Sequence, residues 1–245
     1  MVNLTRIYTR LGDDGTTHLA DMSRVPKDDP RVQAYADVDE ANAAVGLALT
    51  TGQLGDGVRE ILLRVQNDLF DVGADLSTPV VSEPKVPPLR ITQAYVDQLE
   101  GWCDAYNETL APLRSFVLPG GTVAAAHLHL ARTVVRRAER SAWTAVTAHP
   151  TSTSAMAARY LNRLSDLLFI LARHANLAVG DVLWRPGGAT DGATDGDTDG
   201  DTDGATDGDT DPAEASADRS RAALTDPAAD QGSQAGGAPA PPPPD

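Results

Sequence analysis

Residues 130–140 read Leu-Ala-Arg-Thr-Val-Val-Arg-Arg-Ala-Glu-Arg, in a chain of 245 residues whose net charge is −15. Arg132, Arg136 and Arg140 recur every four residues, so on a helix they stack along one face. Like charges at this spacing repel by roughly 0.2–0.5 kcal/mol per pair. An anion relieves that repulsion, and guanidinium groups suit carboxylate and phosphate oxygens. The stretch predicts a helix with an anion-binding face; the alternative is a solvent-exposed face whose charges pair with Glu139 and other acids.

Helical patterns lie on both sides of this stretch. Apolar spacing predicts five helices, over residues 31–51, 56–76, 92–110, 122–149 and, beginning at Thr151 or Ser152, up to residue 178. Pro30 suits the first turn of the first helix, with Asp28 or Asp29 as its N-cap. No run alternates polar and apolar residues for more than four or five positions. We therefore expect an all-α fold, most simply a five-helix antiparallel bundle.

The acidity of the chain belongs to its C-terminal part. From Gly187 onward there are 13 Asp and 1 Glu against 2 Arg, a net charge of −12, which leaves −3 for the preceding 186 residues. Thr-Asp-Gly repeats fill residues 190–211, and almost no large apolar side chain follows. Such a composition cannot offset the entropy lost on ordering. We expect a helical-bundle domain over residues 1–186 and a disordered acidic, Pro-rich tail over residues 187–245.

Composition argues against several classes of function. No basic tail or broad excess of Lys and Arg points to nucleic acid. No stretch approaches the roughly 20 apolar residues of a membrane span, and the first thirty residues hold no apolar signal core. The single cysteine, Cys103, cannot form an internal disulfide, and we expect it to pack in the core. These observations predict a cytoplasmic protein without nucleic-acid or membrane partners.

A second candidate site is the glycine turn, Gly12-Asp-Asp-Gly15. Two glycines allow a tight turn whose amides can approach a ligand, and Arg10 adds a donor suited to phosphate. Asp13 or Asp14 could face Mg²⁺. The spacing of the glycines is not that of a Walker A loop. A Gly-Asp-Asp-Gly sequence by itself is usually only a turn.

A third candidate lies on the last helix, where Asn162 and Asp166 interrupt an apolar stripe. A polar residue inside a bundle normally satisfies a neighbour. If it faces the arginines, Asn162 could instead fix a nucleotide or hold a guanidinium. No Ser-His-Asp or Cys-His group and no Glu-x-x-His metal pair can be proposed from spacing. A phosphate-handling site here would act by positioning and by neutralising a leaving group.

Six motifs in this order resemble the PduO-type ATP:cob(I)alamin adenosyltransferases, over residues 5–186 and none of the tail. They are Thr9-Arg-Leu-Gly-Asp-Asp-Gly15, Pro26-Lys-Asp-Asp29, Val38-Asp-Glu-Ala-Asn42, Phe116-Val-Leu-Pro-Gly-Gly121, Arg132-x3-Arg-Arg-Ala-Glu-Arg140 and Tyr160-Leu-Asn-Arg-Leu-Ser-Asp166. The resemblance implies transfer of the 5′-deoxyadenosyl group of ATP to cob(I)alamin. Cobalt attacks the 5′ carbon and triphosphate leaves, so the substrates are ATP and cobalamin, with Mg²⁺ accompanying ATP.

The resemblance also implies an ATP site built from both ends of the chain, across a subunit interface of a homotrimer. The implied ATP-binding residues are Thr9, Arg10, Leu11, Gly12, Thr17, His18, Lys27, Arg136, Arg137, Ala138, Glu139, Arg140 and Asn162. Lys27, Arg136 and Arg137, with Mg²⁺, would neutralise the triphosphate. Phe116 would lie under the corrin and push the lower ligand off cobalt. Asp39 would pair with Arg132 of a neighbouring subunit.

Four positions depart from the family pattern. Leu11 replaces the usual threonine, Ala41 replaces leucine, and His18 and Ala20 replace small or glycine residues. Leu11 and His18 speak for an alternative, a non-catalytic cobalamin carrier or an ATP-sensing trimer. A further alternative is a structural bundle with solvent-exposed arginines. A flavin-type reductase and an adenosylcobalamin-dependent enzyme are candidate partners of an active enzyme.

Overall fold

The computed structural model describes Tyr8, residues 10–84 and residues 86–187 of the chain. Its five helices are α1 (Pro30–Thr51), α2 (Asp56–Ser77), α3 (Gln93–Asn107), α4 (Val123–Ala148) and α5 (Met156–Ala175). α4 packs against both α1 and α5, while α2 packs on α1 and α3 on α5. The prediction of a five-helix bundle is confirmed. None of these helices is long and apolar enough to cross a membrane, within the part of the chain described.

A short hairpin that the sequence analysis did not predict precedes the helical bundle. Strand β1 (Thr16–His18) pairs antiparallel with strand β2 (Arg24–Pro26), and Thr17 lies opposite Val25. Three residues per strand are too few to give a recognisable alternation of polar and apolar side chains. The hairpin follows the glycine turn directly, and β2 leads into α1.

Fully buried alanines are numerous on α1 and α4, which pack on each other. They are Ala34, Ala41 and Ala48 on α1, with Ala131, Ala138, Ala142 and Ala145 on α4. Small side chains allow two helices to approach closely. The larger core side chains come mainly from α2 and α5, and Tyr160 and Leu161 are fully buried. Cys103 is buried too, as predicted, and burial raises the pKa of its thiol to about 12.

Helix ends show where local signals succeed and where tertiary contacts intervene. The Asp29 side chain accepts a hydrogen bond from the Arg31 amide at 2.8 Å, as expected of the N-cap of α1. α5 begins at Met156, not at Thr151 or Ser152. The Ser152 carbonyl and hydroxyl instead accept hydrogen bonds from the buried Arg31 guanidinium, at 2.9 and 2.5 Å.

Two helices end earlier than predicted. α3 ends at Asn107 instead of near residue 110, and turns follow over residues 108–110. α5 ends at Ala175 instead of 178, because the Asn176 side chain binds the loop before α4.

Candidate functional site

The arginine row, Arg132, Arg136 and Arg140, lies along α4 with Arg136 and Arg140 exposed and Arg132 half-buried. Within the described residues, none of the three has an acidic side chain within 4 Å. The Arg140 guanidinium donates to the Arg136 carbonyl at 3.0 Å, and the Arg132 guanidinium lies 5.6 Å from the centre of the Phe169 ring. Burial and nearby Arg136 lower the pKa of Arg132. The row therefore presents positive charge that an anion would stabilise.

Arg137 differs from the arginine row, because its guanidinium turns toward α1. It forms an ion pair with Glu40 and lies 3.9 Å from the carboxylate of Asp37. Asp37 is itself buried and accepts a 2.5 Å hydrogen bond from Ser141 of α4. The hydrogen bond with Glu40 raises the pKa of Arg137. Arg137 thus joins α1 to α4 in this chain, and contact with triphosphate stays a prediction.

Glu139 and Asn162 meet across α4 and α5, as expected if Asn162 faces the Arg-bearing helix. The Asn162 amide donates to the Glu139 carboxylate at 3.1 Å. Asp166, the other polar residue of this motif, pairs with Arg163 at 2.7 Å. A groove of about 480 Å³ opens between α3, α4 and α5 at this point. It is lined by Gln93, Val96, Glu100, Glu139, Trp143, Arg159, Asn162 and Arg163.

Lys27 packs against the backbone of the glycine turn. The Gly15 amide donates to the Gly12 carbonyl at 3.3 Å, and the Lys27 amide donates to the Gly15 carbonyl at 2.9 Å. A Cβ atom at Gly12 would lie 3.3 Å from Lys27 Nζ and 2.9 Å from the Thr16 carbonyl. Gly12 is therefore required for this close approach, which sets an ammonium group beside the turn.

The Asp14 carboxylate ties the glycine turn to the hairpin, because it accepts hydrogen bonds from Thr16 and Arg24. The Thr16 hydroxyl donates to it at 2.7 Å and the Arg24 guanidinium at 2.6 Å. The Thr16 hydroxyl and amide, followed by Arg24, lower the pKa of Asp14. In the described ranges, no group of three or more His, Cys, Asp or Glu side chains is arranged to hold a metal ion. The Asp14 carboxylate is therefore already engaged by protein donors.

The remaining residues predicted near the turn lie mostly at the surface. Arg10 has a left-handed backbone with φ of 63°, and its guanidinium lies 5.7 Å from the centre of the Tyr8 ring. Leu11 is 64% exposed and His18 is exposed, whereas Thr17 is half-buried. Thr9 lies outside the described residues, as does the predicted tail from residue 188 onward. A non-glycine residue at positive φ is strained, which is frequent at binding sites.

The described hydrogen bonds and ion pairs do not join the two ends of the predicted ATP site. Among the described residues, none of them joins the glycine turn or the hairpin to Arg136 or Arg140. Ala138 is fully buried, so its side chain packs in the core. Asp39 is exposed on α1, and neither it nor Arg132 forms an ion pair among the residues described.

The Phe116 loop, Phe116–Gly121, holds the predicted corrin-facing ring in the open. Phe116 is 71% exposed, and its ring lies edge-on to Trp184 with 5.9 Å between ring centres. The C-terminal segment, Asp181–Trp184, runs antiparallel to the loop. The Leu118 amide donates to the Val182 carbonyl at 2.8 Å, and the Trp184 amide donates to the Phe116 carbonyl at 2.7 Å.

Sequence reasoning missed Glu40 as the partner of Arg137 and missed the C-terminal segment altogether. A signal for the segment existed, because Val182-Leu183-Trp184 is a short apolar run between Gly180 and Gly187. Together with the apolar start of the Phe116 loop, that run could have predicted strand pairing. Glu40 offered no comparable signal, since its contact with Arg137 depends on how α1 and α4 pack.

Comparison with known proteins gives one consistent family. Residues 7–175 match the family profile described as cobalamin adenosyltransferase. The corrinoid adenosyltransferase of Mycobacterium tuberculosis is 68% identical over 187 residues, covering 76% of this chain and 96% of that protein. That of Mycobacterium leprae is 61% identical over 190 residues, covering 76% of this chain and 99% of that protein.

Solved structures agree with the sequence relatives. A variant of the PduO-type ATP:corrinoid adenosyltransferase from Lactobacillus reuteri, complexed with cobalamin and ATP, superposes with a TM-score of 0.67 at 36% identity. The match covers 74% of this chain and 99% of that one. The resemblance drawn from the six motifs is confirmed: the chain belongs to the cobalamin adenosyltransferase family.

Proposed function

We propose that this chain transfers the 5′-deoxyadenosyl group of ATP to cob(I)alamin, giving adenosylcobalamin and triphosphate. The observation that carries the proposal is the arginine row, whose three guanidinium groups have no acidic partner within 4 Å in the described chain. In a protein of net charge −15 such a row suits a polyanion. Family membership supports ATP and cobalamin as the substrates.

The proposed reaction is a displacement at carbon. The reduced cobalt donates an electron pair to the 5′ carbon of ATP, and a cobalt–carbon bond forms. The bond from that carbon to the triphosphate oxygen breaks, and the oxygen keeps its electron pair. No proton leaves the nucleophile, so the protein needs no catalytic base. Its tasks are to align the two substrates and to stabilise the leaving triphosphate.

The positive charge for the leaving group comes from two parts of the chain in this proposal. Arg136 and Arg140 supply exposed guanidinium groups on α4, and Lys27 supplies an ammonium beside Gly12. Arg137 belongs to the same motif, but its pairing with Glu40 leaves it less free to turn to a ligand. We therefore assign Arg136 the larger share of triphosphate stabilisation.

Phe116 faces the corrin in this proposal. Its 71% exposed ring would cover the lower face of the cobalt and exclude both water and the lower ligand. Removing that ligand makes Co(II) easier to reduce to the nucleophilic Co(I) state. An exposed aromatic ring on an ordered backbone is suited to this work, because it offers apolar area and no ligand atom for cobalt.

A homotrimer would unite the two halves of the ATP site. Asp39 and Arg132 lack ion-pair partners in the described chain, which supports the proposal that each pairs with its counterpart on a neighbouring subunit. Mg²⁺ is assigned no protein ligand, since the Asp14 carboxylate is occupied by Thr16 and Arg24. We assign the ion to the oxygens of ATP itself.

The remaining proposals concern the setting of the enzyme. Residues 1–186 form the catalytic domain, and residues 187–245 form an acidic tail outside it. The protein acts in the cytoplasm, where a flavin-type reductase supplies electrons and an adenosylcobalamin-dependent enzyme receives the product.

The test is anaerobic incubation of the full chain with ATP, Mg²⁺ and chemically reduced cobalamin. We expect the visible spectrum to change to that of adenosylcobalamin, with an equal amount of triphosphate released. Corrin binding and ATP-dependent thermal stabilisation without conversion would contradict the proposal and favour the carrier or sensor. An absence of ATP-dependent stabilisation would favour a structural bundle.

A further inference from the structure

Asn176, just after α5, is 2% exposed, and both the oxygen and the nitrogen of its side-chain amide bind the loop before α4. Its oxygen accepts from the Thr122 amide at 2.9 Å, and its nitrogen donates to the Gly120 carbonyl at 3.0 Å. Gly121 has a φ of 97°, and a Cβ atom there would overlap the Asn176 amide. Gly120 and Gly121 therefore allow the loop backbone to pack directly against the Asn176 side chain.

The same amide reaches the C-terminal segment. The Asn176 nitrogen also donates to one carboxylate oxygen of Asp181 at 3.2 Å. The other oxygen of Asp181 accepts from the Arg173 guanidinium at 2.9 Å, and Arg173 donates onward to the Ala111 carbonyl at 2.8 Å. Both charged side chains are largely buried, so each compensates the other. Asn176 therefore stands between the Phe116 loop and the C-terminal segment and binds both.

These contacts bear directly on the Phe116 ring. Asp181 begins the segment whose backbone pairs with the Phe116 loop, and whose Trp184 ring packs against Phe116. Phe116 itself is mostly exposed and makes this one ring contact among those described. Its orientation therefore depends on the loop and the segment staying paired. Asn176 hydrogen-bonds to both through its side chain. The Ser115 hydroxyl, one residue before Phe116, also donates to the Trp184 carbonyl at 2.8 Å.

We infer that Asn176 is the positioning residue for Phe116. By clamping the Phe116 loop to the C-terminal segment, it holds the exposed ring ready before a corrin arrives. The inference rests on the proposed function for the role of Phe116, but the clamp is measurable without any substrate. Pre-positioning matters because a ring that must be ordered during binding weakens the affinity for the ligand.

The test uses Asn176→Ala in the full chain and follows amide hydrogen exchange without ligands. We expect the Leu118 and Trp184 amides to exchange on the order of tenfold faster, since buried hydrogen bonds that hold the pairing are lost. With substrates present, the KM for cobalamin should rise on the order of tenfold while the KM for ATP stays unchanged. The four-coordinate cob(II)alamin spectrum should weaken in parallel.

Two further variants keep the test decisive. Asn67→Ala is the matched control, because this exposed asparagine donates only to the Leu63 carbonyl of its own helix. Asn176→Asp serves if the alanine variant fails to fold. An aspartate keeps the acceptor for Thr122 but loses the donor to Gly120 and repels Asp181. Exchange at Leu118 and Trp184 should therefore rise while the Thr122 amide stays protected.

Unchanged exchange at Leu118 and Trp184 in both Asn176 variants would overturn the inference. Faster exchange with an unchanged KM for cobalamin and an unchanged spectrum would overturn it as well, since the clamp would not serve the ring. Failure of the proposed function would give a different experimental result. In that case the wild-type protein itself forms no four-coordinate cob(II)alamin, whatever the exchange rates of the variants.

Discussion

The arginine row on α4 and the Phe116 loop differ in how far other groups of the protein pair with their charged and polar atoms. The arginine row has no acidic partner within 4 Å in the described chain, so its charge is available to a ligand. In the Phe116 loop the polar backbone is hydrogen-bonded to Asn176 and the C-terminal segment, and an apolar ring is left exposed. The first arrangement suits an anion and the second suits a flat apolar surface.

The largest expected effect is on catalysis, when an arginine of the arginine row is removed. Arg136→Ala should lower kcat/KM by roughly a hundredfold to a thousandfold, because a donor to the leaving group is lost. Triphosphate release under anaerobic conditions measures it. Arg59→Ala is the control, since this exposed arginine of α2 lies outside the arginine row. Turnover near the wild-type value would remove the argument from leaving-group charge.

The next effect is on the apolar side. Phe116→Ala should abolish the four-coordinate cob(II)alamin spectrum in the presence of ATP, because water or the lower ligand then reaches cobalt. ATP-dependent thermal stabilisation should persist. Phe70→Ala is a closely matched control, since Phe70 on α2 is also 71% exposed. An unchanged spectrum in Phe116→Ala would leave that residue without a role at the corrin.

A smaller effect separates Arg137 from its neighbour. Arg137→Ala should lower the free energy of unfolding by up to about 1 kcal/mol, the upper range for a pair this exposed, because it loses Glu40 and Asp37. Arg136→Ala should leave that free energy unchanged. Urea denaturation of both variants measures the difference. Equal stability of the two variants would show that the contact with α1 contributes nothing.

The smallest effect concerns the tail. Deleting residues 187–245 should leave both the melting temperature and kcat nearly unchanged, because the tail has almost no apolar side chain to contribute to a core. Differential scanning calorimetry and the anaerobic assay measure the two quantities. A large drop in either would mean that the catalytic domain extends into the tail.

Local signals predicted most of the bundle. Periodic apolar residues predicted the helices, and Asp28 or Asp29 was expected to cap α1, where the structure shows Asp29. The predicted start of α4 at Thr122 is one residue early, since Thr122 is its N-cap. The start of α5 was wrong because Arg31, more than a hundred residues away, holds Ser152 in a turn. Such a contact leaves no trace in the local pattern. The same applies to the hairpin, whose three-residue strands are too short to read.

The candidate site likewise contains features that local spacing predicts and features that only packing or the family resemblance reveals. Spacing alone predicted the arginine row, but it left open whether Asn162 faces the arginines or only satisfies a neighbour; in the structure its amide donates to Glu139 of α4. Spacing could not suggest a corrin, which came only from the resemblance that the family match now confirms. Spacing did set Arg137 apart from the arginine row, because adjacent residues on a helix point in different directions. Only the packing of α1 against α4 shows that Arg137 meets Glu40.

The bonds of Asn176 to Thr122 and Gly120 join positions 54 and 56 residues apart, and the intervening chain contains all of α4 and α5. The order of the Phe116 loop is therefore inherited from the tertiary fold and not encoded in the loop's own sequence. A substitution that loosens α4 against α5, however far from the corrin, is therefore expected to reach the ring through Asn176 and the backbone pairing beside it. Copying the loop into an unrelated scaffold would carry over its sequence and lose its shape.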